Sequence, residues 1–414
     1  MNDADVDTGY LQVNIFGNNK GMPIDNATVK VTDYVSGDTI EELRTDSSGQ
    51  TPVIELPAPP LDNSLETNQP KPYSEYSVSV DADGFETTNI EGVQILPTSK
   101  ALQNIGLTYK TSTEEAPEDV FIEDHTLWGL FPAKIPEDEV KPLPESSGLV
   151  VLPAPVIPEY VVVHLGVPTD ISAQNVWIPF KDYVKNVASC EIYSTWPNQT
   201  LRANITAIIS LTLNRVYTEW YRGKGYNFTI TNSTAYDQAF NYGRNIFEEI
   251  SAVVDEIFAT YITRPNIRQP LFAQYCDGSR VVCETGLQQW GSKYLGDVGY
   301  SAINILRNYY GYDVFYQTAD KVEGVPVSYK GVVLTVGSTG QDVRTIQEQL
   351  NAISNNYPKI PKLRVDGVYG EQTQEAVRIF QSIFGLPVTG SVDYATWYQI
   401  SDIYVAVKEL SELT

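Results

Sequence analysis

The sequence predicts a multidomain α+β protein built from three folded units and an acidic linker. Residues 9–107 alternate apolar and polar residues in short runs between turn signals, which is typical of an antiparallel β-sandwich. From Tyr160 onward apolar residues recur at spacings of three and four, which indicates helices accompanied by some strands. One predicted helix begins at Pro197 and is apolar nearly all round, and another runs from about Ala239 to Tyr261. Eight prolines lie in residues 108–160, between these two regions. We therefore expect a β-sandwich in residues 1–108, a proline-rich linker in 109–159, a mainly helical unit in 160–330 and a three-helix unit in 331–414.

The composition of the 414-residue chain limits its partners. Its 52 acidic and 28 basic side chains give a formal charge of -24. Binding to nucleic acid or to an anionic membrane needs a basic surface, so both kinds of partner are excluded. Residues 1–150 hold 27 acidic and 8 basic side chains, which indicates a separate module there. The acidic N-terminus does not resemble a signal peptide, and no apolar run is long enough to cross a bilayer, so we expect a soluble chain.

The N-terminal unit has informative turns. Thr45-Asp-Ser-Ser-Gly49 and Asp83-Gly84 separate alternating runs such as Tyr76-Ser-Val-Ser-Val80. The order of these segments resembles the carboxypeptidase-regulatory or transthyretin-like β-sandwich over most of residues 9–107. That resemblance implies a small sandwich and no catalytic role.

The linker combines prolines and acidic residues with one apolar segment, Val120 to Phe131. Proline removes backbone donors and disfavours helix in the residue before it, so we expect mainly extended or exposed chain. The apolar segment should pack on a neighbouring unit. Further along, Ser146-Ser-Gly148 precedes Leu149-Val150, and a flexible stretch before an apolar dipeptide presents that peptide bond well to a protease.

Glu191 is the carboxylate that stands out in the central unit. Helical spacing places it on the same face as Val184 and Val187. Burial of a carboxyl group on an apolar face favours its protonated form, which is what a glycosidic general acid needs. The spacing leaves a second interpretation open, in which Glu191 forms an ion pair with Arg202 or Arg215 at a helix contact.

Two sequence blocks of the central unit carry a family resemblance. The first runs from Ile178-Pro-Phe-Lys-Asp-Tyr183 through Glu191 to Trp196-Pro197, and the second from Phe272-Ala-Gln-Tyr-Cys276 through Gly286-Leu-Gln-Gln-Trp-Gly291 to Tyr309-Tyr-Gly311. Together they resemble the stage II sporulation protein D family, over about residues 160–315. Members of that family are lytic transglycosylases of peptidoglycan, and the resemblance implies that Glu191 is the catalytic residue. The chain departs from the family at Ile209, where relatives have an arginine.

The C-terminal unit carries a second set of motifs. They are Gly337-Ser-Thr-Gly-Gln-Asp-Val-Arg344, Val365-Asp-Gly-Val-Tyr-Gly370 and Gly385-Leu-Pro-Val-Thr-Gly390. This set resembles the peptidoglycan-binding type 1 module, which implies a three-helix domain that holds peptidoglycan. Tyr369 and Gln381 are the predicted contacts with that polymer.

The order of the three units resembles the spore cortex-lytic enzyme of the SleC type. The resemblance implies a lytic transglycosylase stored as a zymogen at the spore cortex or coat. A subtilisin-like serine protease would activate it during germination by cutting near Leu149-Val150. Glu191 would protonate the glycosidic oxygen and then take the proton of the muramic 6-hydroxyl, which leaves a 1,6-anhydro product without any cofactor. The predicted substrate-binding residues of the central unit are Trp196, Asp237, Gln238, Gln288, Gln289 and Trp290.

Two other functions fit the sequence. A non-catalytic cell-wall-binding protein is favoured by the departure at Ile209. A hydrolytic muramidase would need a second carboxylate, for which Asp182, Asp237 and Glu284 are candidates. Cys276 and Cys283 either form a disulfide or bind a metal that would need further ligands, and we expect no metal.

Overall fold

The computed structural model describes residues 6–17, 19–110, 118–143 and 154–413. The predicted cleavage site at Leu149-Val150 lies outside these residues. The described residues form a multidomain α+β protein with several sheets, as the sequence predicts.

The N-terminal unit consists of two sheets. Its elements are β1 (Asp7–Phe16), β2 (Thr28–Asp33), β3 (Thr39–Arg44), β4 (Ile54–Ala58), α1 (Asp62–Leu65), β5 (Ser74–Asp81), β6 (Thr88–Ile95), β7 (Lys100–Gly106) and β8 (Glu118–Phe121). One sheet has the order β7-β1-β4, and the other has the order β3-β2-β5-β6-β8. Alternate residues of β1 and β5, such as Val13 and Val78, are fully buried, because successive side chains of a strand point to opposite faces. The buried faces of both sheets share one core.

The central unit mixes short strands with helices. Its elements are β9 (Tyr160–His164), β10 (Asn175–Pro179), α2 (Phe180–Glu191), α3 (Asn198–Tyr217), β11 (Ile230–Thr231), β12 (Ile246–Phe247), α4 (Glu248–Ile257), β13 (Thr260–Thr263), β14 (Tyr275–Cys276), β15 (Leu287–Gln288), α5 (Gln289–Asp297), α6 (Ala302–Tyr310) and β16 (Phe315–Thr318). The strands pair as β10-β9-β11, β13-β16 and β14-β15. Helix α3 is buried nearly all round and forms the centre of the unit.

The sequence predicts one helix of this unit wrongly. The stretch from Ala239 to Tyr261 is predicted as a single helix, but α4 covers only Glu248–Ile257. Gly243 adopts φ +77°, a left-handed conformation that interrupts a helix. The side chain of Asn245 then bonds to the backbone of Gln94 in the N-terminal unit, which anchors the chain before β12 begins.

The C-terminal unit contains α7 (Gln341–Ile353), α8 (Glu371–Ile383) and α9 (Tyr394–Leu413). Its core includes the buried Ile346, Phe380 and Trp397. The unit packs on the central unit where Phe258 contacts the ring of Tyr398, with 5.2 Å between ring centroids. No helix in the described ranges is long and apolar enough to span a membrane.

The N-terminal and central units are joined through a sheet. Strand β12 pairs antiparallel with β7, so the first sheet has the full order β12-β7-β1-β4. Beside it, the hydroxyl groups of Ser99 and Ser194 are hydrogen-bonded, and Ser99 also donates to Glu249. The apolar residues of the two units belong to a common hydrophobic cluster.

Residues 122–143, which we call the strap, follow β8 and lie across the central unit. The sequence predicts mainly extended or exposed chain here, and the strap indeed has no helix or strand. Its backbone is nevertheless docked, because Thr126 N–H donates to Cys190 O at 3.1 Å and Ile135 N–H donates to Ala235 O at 2.7 Å. The prediction that the apolar segment packs on a neighbouring unit holds for Leu127, which is buried, but Leu130 is exposed.

Candidate active site

Glu191 is the last residue of α2 and is only 4% exposed. The helix buries the face that carries Val184 and Val187, and the same periodicity carries Glu191 into the interior. A buried carboxylate needs hydrogen-bond donors to offset the loss of hydration. The surroundings of Glu191 supply four of them.

The four donors come from four separate stretches of chain. Oε1 of Glu191 accepts from the backbone N–H of Ala239 at 2.9 Å and from the hydroxyl of Tyr275 at 3.3 Å. Oε2 accepts from Nε2 of Gln289 at 3.2 Å and from the hydroxyl of Thr126 at 3.1 Å, whose single hydrogen is shared with the carbonyl of Cys190 at 3.0 Å. Gln289 also donates to the backbone carbonyl of Glu191 at 2.9 Å. The ion pair with Arg202 or Arg215 that the sequence left open does not form, because Arg202 pairs with Glu256 and Arg215 with Asp237.

The short parallel pair of strands β14 and β15 positions Tyr275 and Gln289. Strand β14, which begins with Tyr275, runs parallel to β15, and Gln289 follows β15 directly. Cys276 and Cys283 form a disulfide that closes the loop between these strands, so the disulfide is the alternative that the structure contains. Burial, together with the adjacent Glu191 carboxylate, raises the pKa of Tyr275 well above its ordinary value, so its phenol stays protonated and can donate.

The strap places Lys134 beside this site as well as Thr126. The ammonium group of Lys134 lies 4.6 Å from the centre of the Tyr275 ring and donates to the backbone carbonyls of Thr234 and Asp237. Burial lowers the pKa of Lys134, although Glu191 and Asp237 nearby favour its charged form. Next to the strap, a cleft of about 270 Å³ is lined in part by Thr126, Phe131, Cys190, Ala239 and Arg244.

Arg215 of the central unit holds the strap in place through an ion pair. It lies on α3, its side chain is fully buried, and it donates to Asp237 at 2.7 Å and to Glu137 of the strap at 2.6 Å. Lys141 of the strap approaches the same Glu137 carboxylate at 2.9 Å. Ile209, which stands at the position of the family arginine, is a fully buried core residue.

The predicted sugar contacts of the central unit fall into two groups. Gln289 contacts Glu191, and Gln288 is half-buried at the end of β15. Asp237 and Gln238 instead lie fully buried in the interior. Asp237 accepts from Arg215, Tyr221 and Thr231, and Gln238 accepts from Tyr183 and Thr212. With these partners, neither side chain reaches a surface where a sugar could bind, and a sugar contact for either stays a prediction.

Trp196 and Trp290 lie together, with 5.0 Å between their ring centroids, and Tyr193 completes an aromatic cluster. Trp196 is buried, and its indole N–H donates to the carbonyl of Ser64 in the N-terminal unit at 2.9 Å. Trp290 is half-buried. The N-terminal unit therefore covers the ring that the sequence predicts to stack on sugar.

The two predicted contacts of the C-terminal unit lie in its interior. The hydroxyl of Tyr369 donates to the carbonyl of Gly390 at 2.9 Å. Gln381 donates to Thr396 and accepts from the backbone N–H of Gly390. Both side chains are fully buried, so they hold the loop around residue 390 and do not reach solvent.

Sequence reasoning missed two side chains that touch Glu191. Tyr275 lies directly before Cys276 in the second of the two sequence blocks described above, so its position in the sequence could have indicated a role at the site. Thr126 lies in the linker, and nothing in the local sequence connects it with a site on α2. Among the described residues there is no cluster of three or more His, Cys, Asp or Glu side chains arranged to hold a metal ion.

Comparison with known proteins gives a family match in the C-terminal unit. Residues 339–400 match the family model described as "Putative peptidoglycan binding domain". This part of the chain is similar to peptidoglycan-binding domains. The match supports peptidoglycan as a partner of the chain and an association with the cell wall. No curated protein matches the chain.

Several solved structures share limited regions with the chain. The SleB N-terminal domain is 34% identical, with a TM-score of 0.16, and the match covers 18% of this chain and 93% of that one. The Bacillus anthracis TIE protein is 14% identical, with a TM-score of 0.18 and coverage of 25% and 17%. The minor pilin GBS52 of Streptococcus agalactiae is 17% identical, with a TM-score of 0.19 and coverage of 28% and 49%. The chain thus spans less than half of the length of the last two, and TM-scores this low support no conclusion about function.

Proposed function

We propose that the chain is a peptidoglycan lytic transglycosylase that degrades the spore cortex during germination. The observation that carries the proposal is the environment of Glu191, a buried carboxylate with four hydrogen-bond donors in a chain that also matches a peptidoglycan-binding domain. Buried carboxyl groups are rare in proteins, and they are found preferentially at functional sites.

The reaction needs one carboxyl group. Protonated Glu191 gives its proton to the oxygen that joins N-acetylmuramic acid to N-acetylglucosamine, and the bond from that oxygen to the muramic anomeric carbon breaks. The ionised carboxylate then removes the proton of the muramic 6-hydroxyl, whose oxygen bonds to the anomeric carbon. The product is a 1,6-anhydro sugar, no water is consumed, and Glu191 returns to its protonated form.

Two of the three candidate second carboxylates of a hydrolase are engaged in ion pairs. Asp237 is paired with Arg215, Asp182 lies 2.6 Å from Lys20, and Glu284 is exposed to solvent. A second catalytic carboxylate must be free to activate water or to attack the sugar, and the two aspartates are each held by a cation. This arrangement favours the mechanism with an internal nucleophile over a hydrolysis that needs a second base.

The strap supports a zymogen. Thr126 occupies one oxygen of Glu191, and the N-terminal unit covers Trp196 through Ser64, so both a catalytic and a sugar-stacking group are blocked. Cleavage near Leu149-Val150 by a subtilisin-like serine protease would separate the strap from the central unit in the chain. The strap could then move away from Glu191, which is the step that activates the enzyme in this proposal.

A test compares the chain after cleavage at this site with two variants. Glu191→Gln removes the transferable proton and should lower the release of muropeptides from spore cortex by at least about 100-fold, since general acid–base catalysis contributes that much. Glu256→Gln is the matched control, because this exposed carboxylate pairs with Arg202 away from the site, and its activity should equal that of wild type.

Mass spectrometry of the released fragments separates the possible functions. Anhydro ends are expected for a transglycosylase, whereas reducing ends would identify a muramidase. Full activity of the Glu191→Gln variant would refute the assignment. A wild-type chain that binds cortex but releases nothing after cleavage would favour the non-catalytic alternative, which the core residue Ile209 suggests.

A further inference from the structure

The two carboxylate oxygens of Glu191 have different kinds of partners. Oε1 accepts from Ala239 and Tyr275, which both belong to the central unit. Oε2 accepts from Gln289 of the central unit and from Thr126 of the strap. Displacement of the strap therefore removes a donor from Oε2 and leaves both donors of Oε1 in place.

This difference decides where a proton can reside. A carboxylate oxygen has two lone pairs in the plane of the group, and each can accept one hydrogen bond or hold the proton. The N–H of Ala239 and the hydroxyl of Tyr275 already use both lone pairs of Oε1. Once the strap has left, one lone pair of Oε2 is open, on the side from which Thr126 approached.

We propose that Oε2 is the oxygen of Glu191 that delivers the proton to the glycan, and that Tyr275 is a positioning residue that keeps the proton there by bonding to Oε1. The inference rests on the proposed function and deepens it, because it names the reacting atom and the side from which the glycosidic oxygen arrives. That oxygen occupies the space that the Thr126 hydroxyl fills in the uncleaved chain.

The fold supports a positioning role for Tyr275. Its side chain is 2% exposed, and it lies on β14, which is paired with β15 and joined to the neighbouring loop by the Cys276–Cys283 disulfide. The β14–β15 pair and its disulfide fix the hydroxyl of Tyr275 and the side-chain amide of Gln289 relative to each other. Tyr275 therefore donates to one oxygen of the Glu191 carboxylate and Gln289 donates to the other, and both donors belong to the same pair of strands.

The charged and titratable groups around Glu191 come from three elements. Lys134 approaches from the strap, Tyr183 and Cys190 belong to α2, and Tyr275 belongs to β14. Lys134 departs with the strap, whereas the other three remain. In the cleaved enzyme Tyr275 is thus the titratable side chain that bonds directly to the carboxylate.

The experiment measures the pH dependence of anhydro-muropeptide release by the full chain, cut at a specific protease site inserted between Leu149 and Val150. Tyr275→Phe keeps the ring and removes the donor. Because the lost donor bonds directly to the group that transfers the proton, the pH profile of activity should differ from that of wild type. We also expect kcat to fall about 10-fold, with KM unchanged within about twofold.

Tyr310→Phe is the matched control. Tyr310 is equally buried, and its hydroxyl donates to Gln274 O at 2.7 Å and not to Glu191, so this variant should lose stability without any shift of the pH profile. Thermal unfolding verifies that both variants are folded. If Tyr275→Phe does not fold, Tyr275→Met removes the same hydroxyl and fills the space with a flexible side chain.

The experiments distinguish failure of the positioning role from failure of the proposed function. A Tyr275→Phe profile that coincides with the wild-type profile would overturn the positioning role while leaving the proposed function intact. An active Glu191→Gln variant, or a wild-type enzyme without anhydro products, would overturn the proposed function itself.

Discussion

Replacement of Glu137 by Gln should loosen the strap without unfolding the chain. Glu137 accepts two hydrogen bonds from the guanidinium group of Arg215, at 2.6 and 3.2 Å, and lies 2.9 Å from the ammonium group of Lys141. The Glu137 side chain is only 16% exposed, so these contacts are poorly screened by water. The variant keeps the shape of the side chain but removes its charge and one acceptor oxygen.

The expected cost follows from these contacts. A hydrogen bond to a charged group contributes about 1.5–3 kcal/mol. Arg215 retains Asp237, and the side-chain carbonyl that the substitution introduces would still accept one bond, so a net loss of about 2 kcal/mol is reasonable. Since about 1.4 kcal/mol corresponds to a factor of ten, the open form of the strap should become about 30-fold more populated.

Hydrogen–deuterium exchange of the uncleaved chain measures this population. The amides of Thr126 and Ile135 donate across to the central unit, so both should exchange about 30-fold faster in Glu137→Gln. Glu139→Gln is the matched control, because Glu139 is 36% exposed and its partner Arg264 also pairs with Asp313. Equal exchange in wild type and Glu137→Gln, or faster exchange in Glu139→Gln, would refute the reasoning.

Acid should have the same effect as the substitution. Burial alone would raise the pKa of Glu137, but the bonds from Arg215 and Lys141 more than offset it and hold the pKa below the ordinary value of 4.5. A carboxyl group with a lowered pKa contributes its stabilisation fully above the ordinary value, and the contribution is lost as the pH falls through the folded value. Exchange of the two strap amides should therefore accelerate as the pH falls below 4.5 in wild type and not in Glu137→Gln.

Two further predictions concern the disulfide and the C-terminal unit. Reduction of the Cys276–Cys283 bond should lower the free energy of unfolding by about 2.5 kcal/mol, from the entropy of an eight-residue loop, and this sensitivity to reductant should persist in Cys190→Ala and disappear in Cys276→Ala. Gln381→Ala should destabilise the C-terminal unit by about 3 kcal/mol, because a buried amide loses its contacts with Thr389, Ser391, Thr396 and Gly390. Peptidoglycan binding by this variant should be unchanged at temperatures where thermal unfolding shows the unit to be folded, and weaker binding there would instead indicate direct contact.

The helices around Glu191 could be predicted because their signals are local. Pro197 and the apolar run that includes Ile205 and Leu213 indicate a buried helix, which is confirmed as α3. The spacing of Val184, Val187 and Glu191 places the carboxylate on a buried face, which α2 confirms. In both helices the decisive information lies within about 20 residues of sequence.

The partners of Glu191 could not all be predicted, because they depend on contacts between distant segments. Thr126 reaches Glu191 only because β8 adds to the N-terminal sheet and directs the strap across the central unit. Asp237 depends on a distant contact in the same way. Arg215, which lies 22 residues earlier in the sequence, pairs with its carboxylate, and no local pattern indicates that pair.

The pairing of β12 with β7 affects how the chain is made. β7 leaves the ribosome well over 100 residues before β12. During synthesis the β7 edge of the N-terminal sheet is therefore unpaired until β12 has been made. Unpaired edges of this kind are templates for association with other chains. An N-terminal fragment produced without the central unit would carry that open edge permanently, and we expect it to self-associate where the intact chain does not.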